Sequence, residues 1–163
     1  MAGNVKTVPE GMHTITPHLS VREASKAVEF YKKAFGAEVL AVHYTPNGKV
    51  MHAQLKVGDS HFMLADEFPE GTPAPPTLGG SPVVLNLYAE DIDSLFSQAV
   101  AAGAKVTMPL ADMFWGDRYG QIVDPFGHHW ALGAHQEDIP PEEMERRGRA
   151  FFAEMAKRRG HGA

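Results

Sequence analysis

The chain of 163 residues carries nine histidines and no cysteine. Any acid–base or metal chemistry must therefore run on imidazole, carboxylate and hydroxyl groups rather than on thiolate. The densest polar–aromatic cluster is Trp115, Asp117, Arg118 and Tyr119. Arg118 can grip a ligand carboxylate or phosphate through its planar fork, and Trp115 offers a flat apolar wall. The same arginine can instead pair internally with Asp117 or Asp124 and organise a turn. A second polar set lies in the stretch from Val50 to Val57, where Met51, Ala53, Leu55 and Val57 share one face of a strand. His52, Gln54 and Lys56 share the other face.

The elements that position these residues come in two copies. Leu19-Ser20-Val21, a helical run to Phe35 and Gly36-Ala37-Glu38-Val39 are echoed by Leu87-Tyr88-Ala89, another helical run and Gly103-Ala104-Lys105-Val106. A period of roughly 67 to 69 residues present in only two copies does not make a solenoid. It reads as a duplicated βαβββ unit. The first unit is expected to contain a strand over Thr14 to Leu19 with Pro17 at an edge or bulge, and a helix over Glu23 to Phe35 ended by Gly36. Strands over Val39 to Tyr44, Val50 to Val57 and His61 to Ala65 follow. The proline- and glycine-rich stretch Phe68 to Pro82 has the composition of a linker. The second unit reads as a strand Val83 to Tyr88, a helix Ile92 to Ala102 with Asp91 as N-cap, and strands near Ala104 to Pro109, Asp117 to Val123 and His129 to Gly133. A third helix, Glu142 to Arg158, opens on acids and closes on bases, as the helix dipole favours. Its apolar residues Met144, Phe151, Phe152 and Met155 must pack on the rest of the chain or on a partner subunit.

Composition narrows the function classes. A net charge of -5 gives no general attraction to phosphate backbones or anionic lipid, so a nucleic-acid or membrane partner is not expected. No stretch reaches the apolar length of a membrane span, and Met1 to Gly11 lacks a basic-led apolar run of signal-peptide type. With the absence of cysteine, this points to a cytoplasmic protein with a small-molecule partner.

Two motifs carry a family resemblance. They are Phe30-Tyr31-Lys32-Lys33-Ala34-Phe35-Gly36-Ala37, and Trp115-Gly116-Asp117-Arg118-Tyr119-Gly120 followed by Asp124-Pro125-Phe126-Gly127-His128-His129-Trp130. Asp124-Pro125-Phe126-Gly127 is a turn signal in which the aspartate can accept from the turn's own amides. Phe30-Tyr31 should anchor a helix to the outside of a sheet. With these motifs the chain resembles the vicinal-oxygen-chelate superfamily of glyoxalase I, bleomycin-resistance proteins and extradiol dioxygenases. The tail from Pro140 to Met144 resembles that of the bleomycin-resistance-like branch.

The resemblance implies an α+β fold, with two βαβββ modules forming a curved open mixed sheet around a cup. It implies one domain over 12–135 (modules 12–67 and 83–135, linker 68–82), followed by a helical extension over 136–163. Homodimers are common among proteins of this kind.

Metal-dependent members place ligands on the first and last strand of each module. The corresponding positions here are Thr16, Met63, Val84 and Ala131, one weak oxygen donor and three apolar side chains. Such a set does not replace imidazoles and carboxylates, so no metal is expected at these positions. If Thr16, Val84 and Ala131 face the cup, alternation places His18, Asn86, Tyr88 and His129 there too. His52 and Gln54 join them, with His61 a further candidate. His18, His52 and His129 are then the candidate catalytic residues, and Thr16, Gln54, Asn86, Tyr88, Trp115 and Arg118 the candidate ligand contacts. The histidines can hydrogen-bond a ligand, transfer protons in a lyase or isomerase reaction, or hold a displaced divalent ion. Phe114 and Trp130 have the opposite parity and belong to the helix-facing core. His135 and His161 lie outside the expected strands.

Overall fold

The computed structural model describes residues 5–160, so His161 lies outside the described residues. Each half of the chain repeats the order strand, helix, three strands. The first unit comprises β1 (His18–Val21), α1 (Ala24–Phe35), β2 (Glu38–Tyr44), β3 (Val50–Val57) and β4 (Ser60–Asp66). A short helix α2 (Pro75–Leu78) intervenes. The second unit comprises β5 (Val84–Tyr88), α3 (Ile92–Ala102), β6 (Lys105–Asp112), β7 (Asp117–Val123) and β8 (His129–His135), and α4 (Pro141–Gly160) closes the chain. The strands form two four-stranded mixed sheets, β1-β4-β3-β2 and β5-β8-β7-β6, with the first strand of each unit parallel to the last.

The helices form where apolar residues recur at helical spacing. On α1, Ala24, Ala27, Val28, Tyr31, Ala34 and Phe35 are buried, and Gly36 closes the helix in the left-handed conformation at φ 64°. Asp91 caps α3 by accepting from the Ser94 amide, as expected. The core joins the two units through a cluster of rings. Tyr31 and Phe35 of α1 pack against Trp130 of β8 at centroid distances of 5.6 and 4.7 Å, with Phe62 and Phe126 around them. Trp130 therefore takes the helix-facing place its parity gives it.

Several elements depart from the sequence reading. The first strand begins at His18 rather than Thr14, because Pro17 has no amide to donate and only its carbonyl joins the ladder, accepting from Met63. The 68–82 stretch is more than a tether. Ala74 and Pro75 are buried, and Glu67 accepts from the Ala74 amide, Thr77 and Arg22, contacts that hold its carboxyl at about 2. Strand β8 runs two residues past Gly133, so His135 is a strand residue after all. Phe114 is not in the helix-facing core of its own unit. It lies in the turn between β6 and β7, with Phe151 of α4 at 5.1 Å and Phe152 at 6.0 Å. The third helix thus packs on its own chain, fastened further by Arg147 to Glu137 at 2.8 and 2.9 Å.

Candidate functional site

Burial alternates along the strands and separates a helix-facing side from an open side in each sheet. In the first sheet Leu19, Val21, Ala53, Leu55, Phe62 and Leu64 are buried against α1. His18, His52, Gln54, His61 and Met63 therefore share the open side, and the pairing His18↔Met63↔Gln54 sets them in one row. His18 and His52 meet at 6.1 Å between ring centroids, and His52 meets His43 at 6.4 Å. His43, which sequence reasoning missed, enters because β2 pairs it directly with His52. Burial, and then the neighbouring His52, hold the His18 imidazole below its ordinary value, so it is neutral near pH 7. Gln54 Nε2 lies 3.1 Å from His61 Nδ1.

In the second sheet the open side is built in rows across three strands: Asn86↔Ala131↔Gln121, and Tyr88↔Gly133↔Tyr119, with Asp117↔His135 beyond them. Asp117 is only 7% exposed and gathers the row's polar groups. Trp115 Nε1 donates to its Oδ2 at 3.2 Å, Tyr88 Oη donates to the same oxygen at 3.3 Å, and His135 Nδ1 lies 2.8 Å from Oδ1. The other imidazole nitrogen, Nε2, lies 2.9 Å from Asp138 Oδ1. A carboxylate only accepts, so it is the imidazolium, with a proton on each ring nitrogen, that donates to both carboxylates. Its pKa is raised by Asp117 first and Asp138 second. Burial and the nearby Asp117 charge push the Tyr88 phenol up.

The sign of this linkage gives a stability prediction. A raised folded-state pKa stabilises fully below the unfolded value of about 6.5 and is lost as pH rises through the folded value. The stability difference between the parent protein and His135→Gln should therefore be largest below about pH 6.5 and shrink on going alkaline. Urea midpoints across that range measure it, and a difference that grows with pH would contradict the assignment.

Two expected ligand contacts are corrected. Thr16 lies ahead of β1, and its hydroxyl donates to the His13 carbonyl at 3.1 Å. Arg118 sits on the helix side of β7, one residue out of phase with Asp117 and Tyr119. There it forks onto Asp93 of α3 at 2.8 and 2.7 Å and reaches Asp112 at 3.0 Å. Internal pairing wins, though with acids other than Asp117 or Asp124. Asn86 and Tyr88 line the cleft, while Gln54 is tied to His61, and Trp115, like the Tyr88 hydroxyl, to Asp117. His129, paired with Val84 and Val123, stands in the other sheet from His18 and His52.

Thr16, Met63, Val84 and Ala131, the positions the resemblance assigns to metal ligands, provide no imidazole or carboxylate. A divalent ion does not fit this donor set. Among the described residues, no three His, Asp or Glu side chains converge in a way that can hold a metal.

A cleft of about 480 Å³ opens where the two units meet. One wall is the segment through His13, Ile15 and Pro17 with the β3–β4 turn and His61; the other is Leu85, Asn86, Leu87 and Tyr88 of β5, with Trp130 and Phe62 at the base. Its walls are largely apolar, with His13, Asp59, Ser60, His61, Asn86 and Tyr88 as the side chains able to orient a ligand.

This architecture agrees with known proteins. The sequence profile of the Glyoxalase/Bleomycin resistance protein/Dioxygenase superfamily matches residues 11–132. The chain belongs to this superfamily. An uncharacterized protein of Mycobacterium tuberculosis is 42% identical over 135 residues, spanning 80% of this chain and 79% of that one. Among solved structures, the Arabidopsis thaliana At5g48480 gene product superposes with a TM-score of 0.61 at 28% identity, covering 74% of this chain and 98% of its own. Protein PA1353 of Pseudomonas aeruginosa gives a TM-score of 0.64 at 26% identity, covering 77% of this chain and all of its own. The superfamily spans several chemistries, so membership fixes the scaffold and leaves the reaction to the site. No helix among the described residues is long and apolar enough to cross a membrane.

Proposed function

We propose that this superfamily member binds a small organic molecule in the cleft between its two units, without a metal at the superfamily's usual ligand positions, as a cytoplasmic protein of the bleomycin-resistance-like type. The observation that carries this reading is the cleft itself, about 480 Å³ of largely apolar space with a few side chains able to orient a guest. The set Thr16, Met63, Val84 and Ala131, without an imidazole or carboxylate, supports it against glyoxalase-type isomerisation and ring cleavage, which draw on a bound ion as Lewis acid or redox centre. A homodimer is part of the proposal, because Phe152 and Met155 remain exposed on α4 beyond its contact with Phe114.

The test is native mass spectrometry of the purified protein against a panel of small aromatic and aliphatic compounds. One compound is expected to bind at one equivalent per chain, unchanged chemically on release. Asn86→Trp, at an exposed strand position lining the cleft, should weaken it at least about tenfold with no change in melting temperature. Binding indifferent to that substitution would remove the cleft from consideration.

A second reading, a lyase or isomerase, is favoured by one observation. The His18 imidazole is held neutral beside His52, as a general base requires. It predicts turnover that His18→Ala or His52→Ala abolishes with the melting temperature nearly unchanged. Loss of stability together with activity would assign those rings to structure.

A further inference from the structure

We propose that the open side of the second sheet recognises a primary ammonium group carried on an apolar or aromatic body, with Asp117 as its counter-ion. This names the ligand class for the binding reading above, and rests on it.

The first ground is the carboxylate. Asp117 is buried at 7% exposure, yet two of its three side-chain partners, Trp115 and Tyr88, are neutral donors that leave its charge in place. The group that neutralises it is His135, whose side chain is 55% exposed and whose second nitrogen is spent on the exposed Asp138. When protonated, His135 already places a cation at this spot, on a side chain exposed enough for an incoming group to replace it. An incoming ammonium can take the place of the imidazole N–H on Oδ1 and restore the same charge balance.

The second ground is the aromatic surround. Trp115 and Tyr119 stand at 5.4 Å with an interplanar angle of 74°, two walls of a corner. The Tyr88 ring lies over Gly133, so close that an added Cβ there would meet it at 3.3 Å. Ring faces attract cations through their quadrupole. Trp115 is backed by Phe114 at 5.1 Å, itself pressed under Phe151, so this wall is fixed by α4. Tyr88 also lines the cleft, and Asn86, two residues back on the same face of β5, carries the ligand's body toward it.

The charged and titratable groups around Asp117 are consistent with a cation and against an anion. Tyr88 faces it from β5, Tyr119 from β7, His135 from β8 and Asp138 from the connector to α4. Arg118 is bound to Asp93 and Asp112 on the opposite side of the sheet, and Arg147 is bound to Glu137 and Glu143.

The experiment measures calorimetric affinities of the full chain for 2-phenylethylammonium and its isosteres 2-phenylethanol and phenylacetate. The ammonium should bind at least about tenfold tighter than the alcohol, and phenylacetate weakest. Because His135 competes for Asp117 as a cation only when protonated, ammonium affinity should rise several-fold between about pH 6 and about pH 9. His135→Ala should tighten binding at the lower pH and flatten that dependence, and Asp117→Asn should erase the preference for ammonium over alcohol. If the asparagine variant does not fold, the alanine variant and the pH dependence still decide. Equal affinities for ammonium and alcohol would overturn the ammonium assignment while leaving small-molecule binding intact. Failure of the ammonium probe to bind would overturn it too, and the Asn86→Trp experiment tests the cleft separately.

Discussion

Asp124→Ala should lower the unfolding free energy by about 3 to 5 kcal/mol, among the largest losses expected from one side chain here. Asp124 is 4% exposed and accepts four hydrogen bonds. Tyr31 Oη donates to Oδ2 at 2.6 Å and Trp130 Nε1 at 2.9 Å; the Phe126 and His128 amides donate to Oδ1 at 2.9 and 3.0 Å. Alanine would leave four donors without this acceptor, and two of them belong to fully or nearly fully buried rings. The contact also spans the molecule. Tyr31 sits on α1 of the first unit and Asp124 in the β7–β8 turn of the second, so the two sheets lose a shared anchor together. Tyr31→Phe removes one donor and leaves Asp124 three, so it should cost only about 1 to 2 kcal/mol. Urea midpoints of the two variants, compared at equal slope, provide the check. An alanine variant within about 1 kcal/mol of the parent would show that the hub is not what joins the units.

The same aspartate marks where the sequence is legible and where it is not. Its turn role follows from local rules, since Asp-Pro-Phe-Gly places the carboxylate beside its own amides. Its bond to Tyr31, 93 positions away, depends on how α1 of the first unit packs on the β7–β8 turn of the second, and no local pattern contains that. Strand parity was similarly informative. It placed Trp130 in the core, and the out-of-phase position of Arg118 relative to Tyr119 already separates the two faces of β7. What parity does not contain is that Asp93 and Asp112 wait on the helix side, which makes a ligand contact for Arg118 unnecessary. His135 lies outside the strand expected over His129 to Gly133. The alternation His129, Ala131, Gly133, His135 continues the open face by two residues, and was the available signal. Thr16 was misplaced for the opposite reason, because an apolar, β-branched approach to His18 looks like a strand until Pro17 is asked for its missing amide.

Gly116→Ala is the other substitution with a large expected effect, and it reaches the proposed ligand wall from behind. Gly116 has φ +94°, a conformation that costs an L-residue, and a Cβ there would lie 2.2 Å from the Glu137 carbonyl oxygen. The obstacle is backbone and has no rotamer to yield. The Gly116 carbonyl accepts from the Gln136 and Glu137 amides at 2.9 and 3.0 Å, pinning the chain after β8 to the turn that carries Phe114 and Trp115. From there Glu137 holds Arg147 of α4. Alanine must push the connector away, which breaks the two amide hydrogen bonds and slackens the His135–Asp138 contact and the seat of α4 on Phe114. We expect a loss of about 2 to 4 kcal/mol and faster proteolysis confined to residues 136–160. Gly148→Ala is the matched control. Its Cβ would sit at 3.4 Å from the Phe114 ring, on a helix where alanine is favoured over glycine by about 1 kcal/mol, so that variant should be neutral or slightly more stable. If Gly116→Ala melts with the parent and α4 stays protected, the connector is not what keeps Trp115 in place. The aromatic corner must then owe its rigidity to Tyr119, Asp117 and the Phe114 backing under α4.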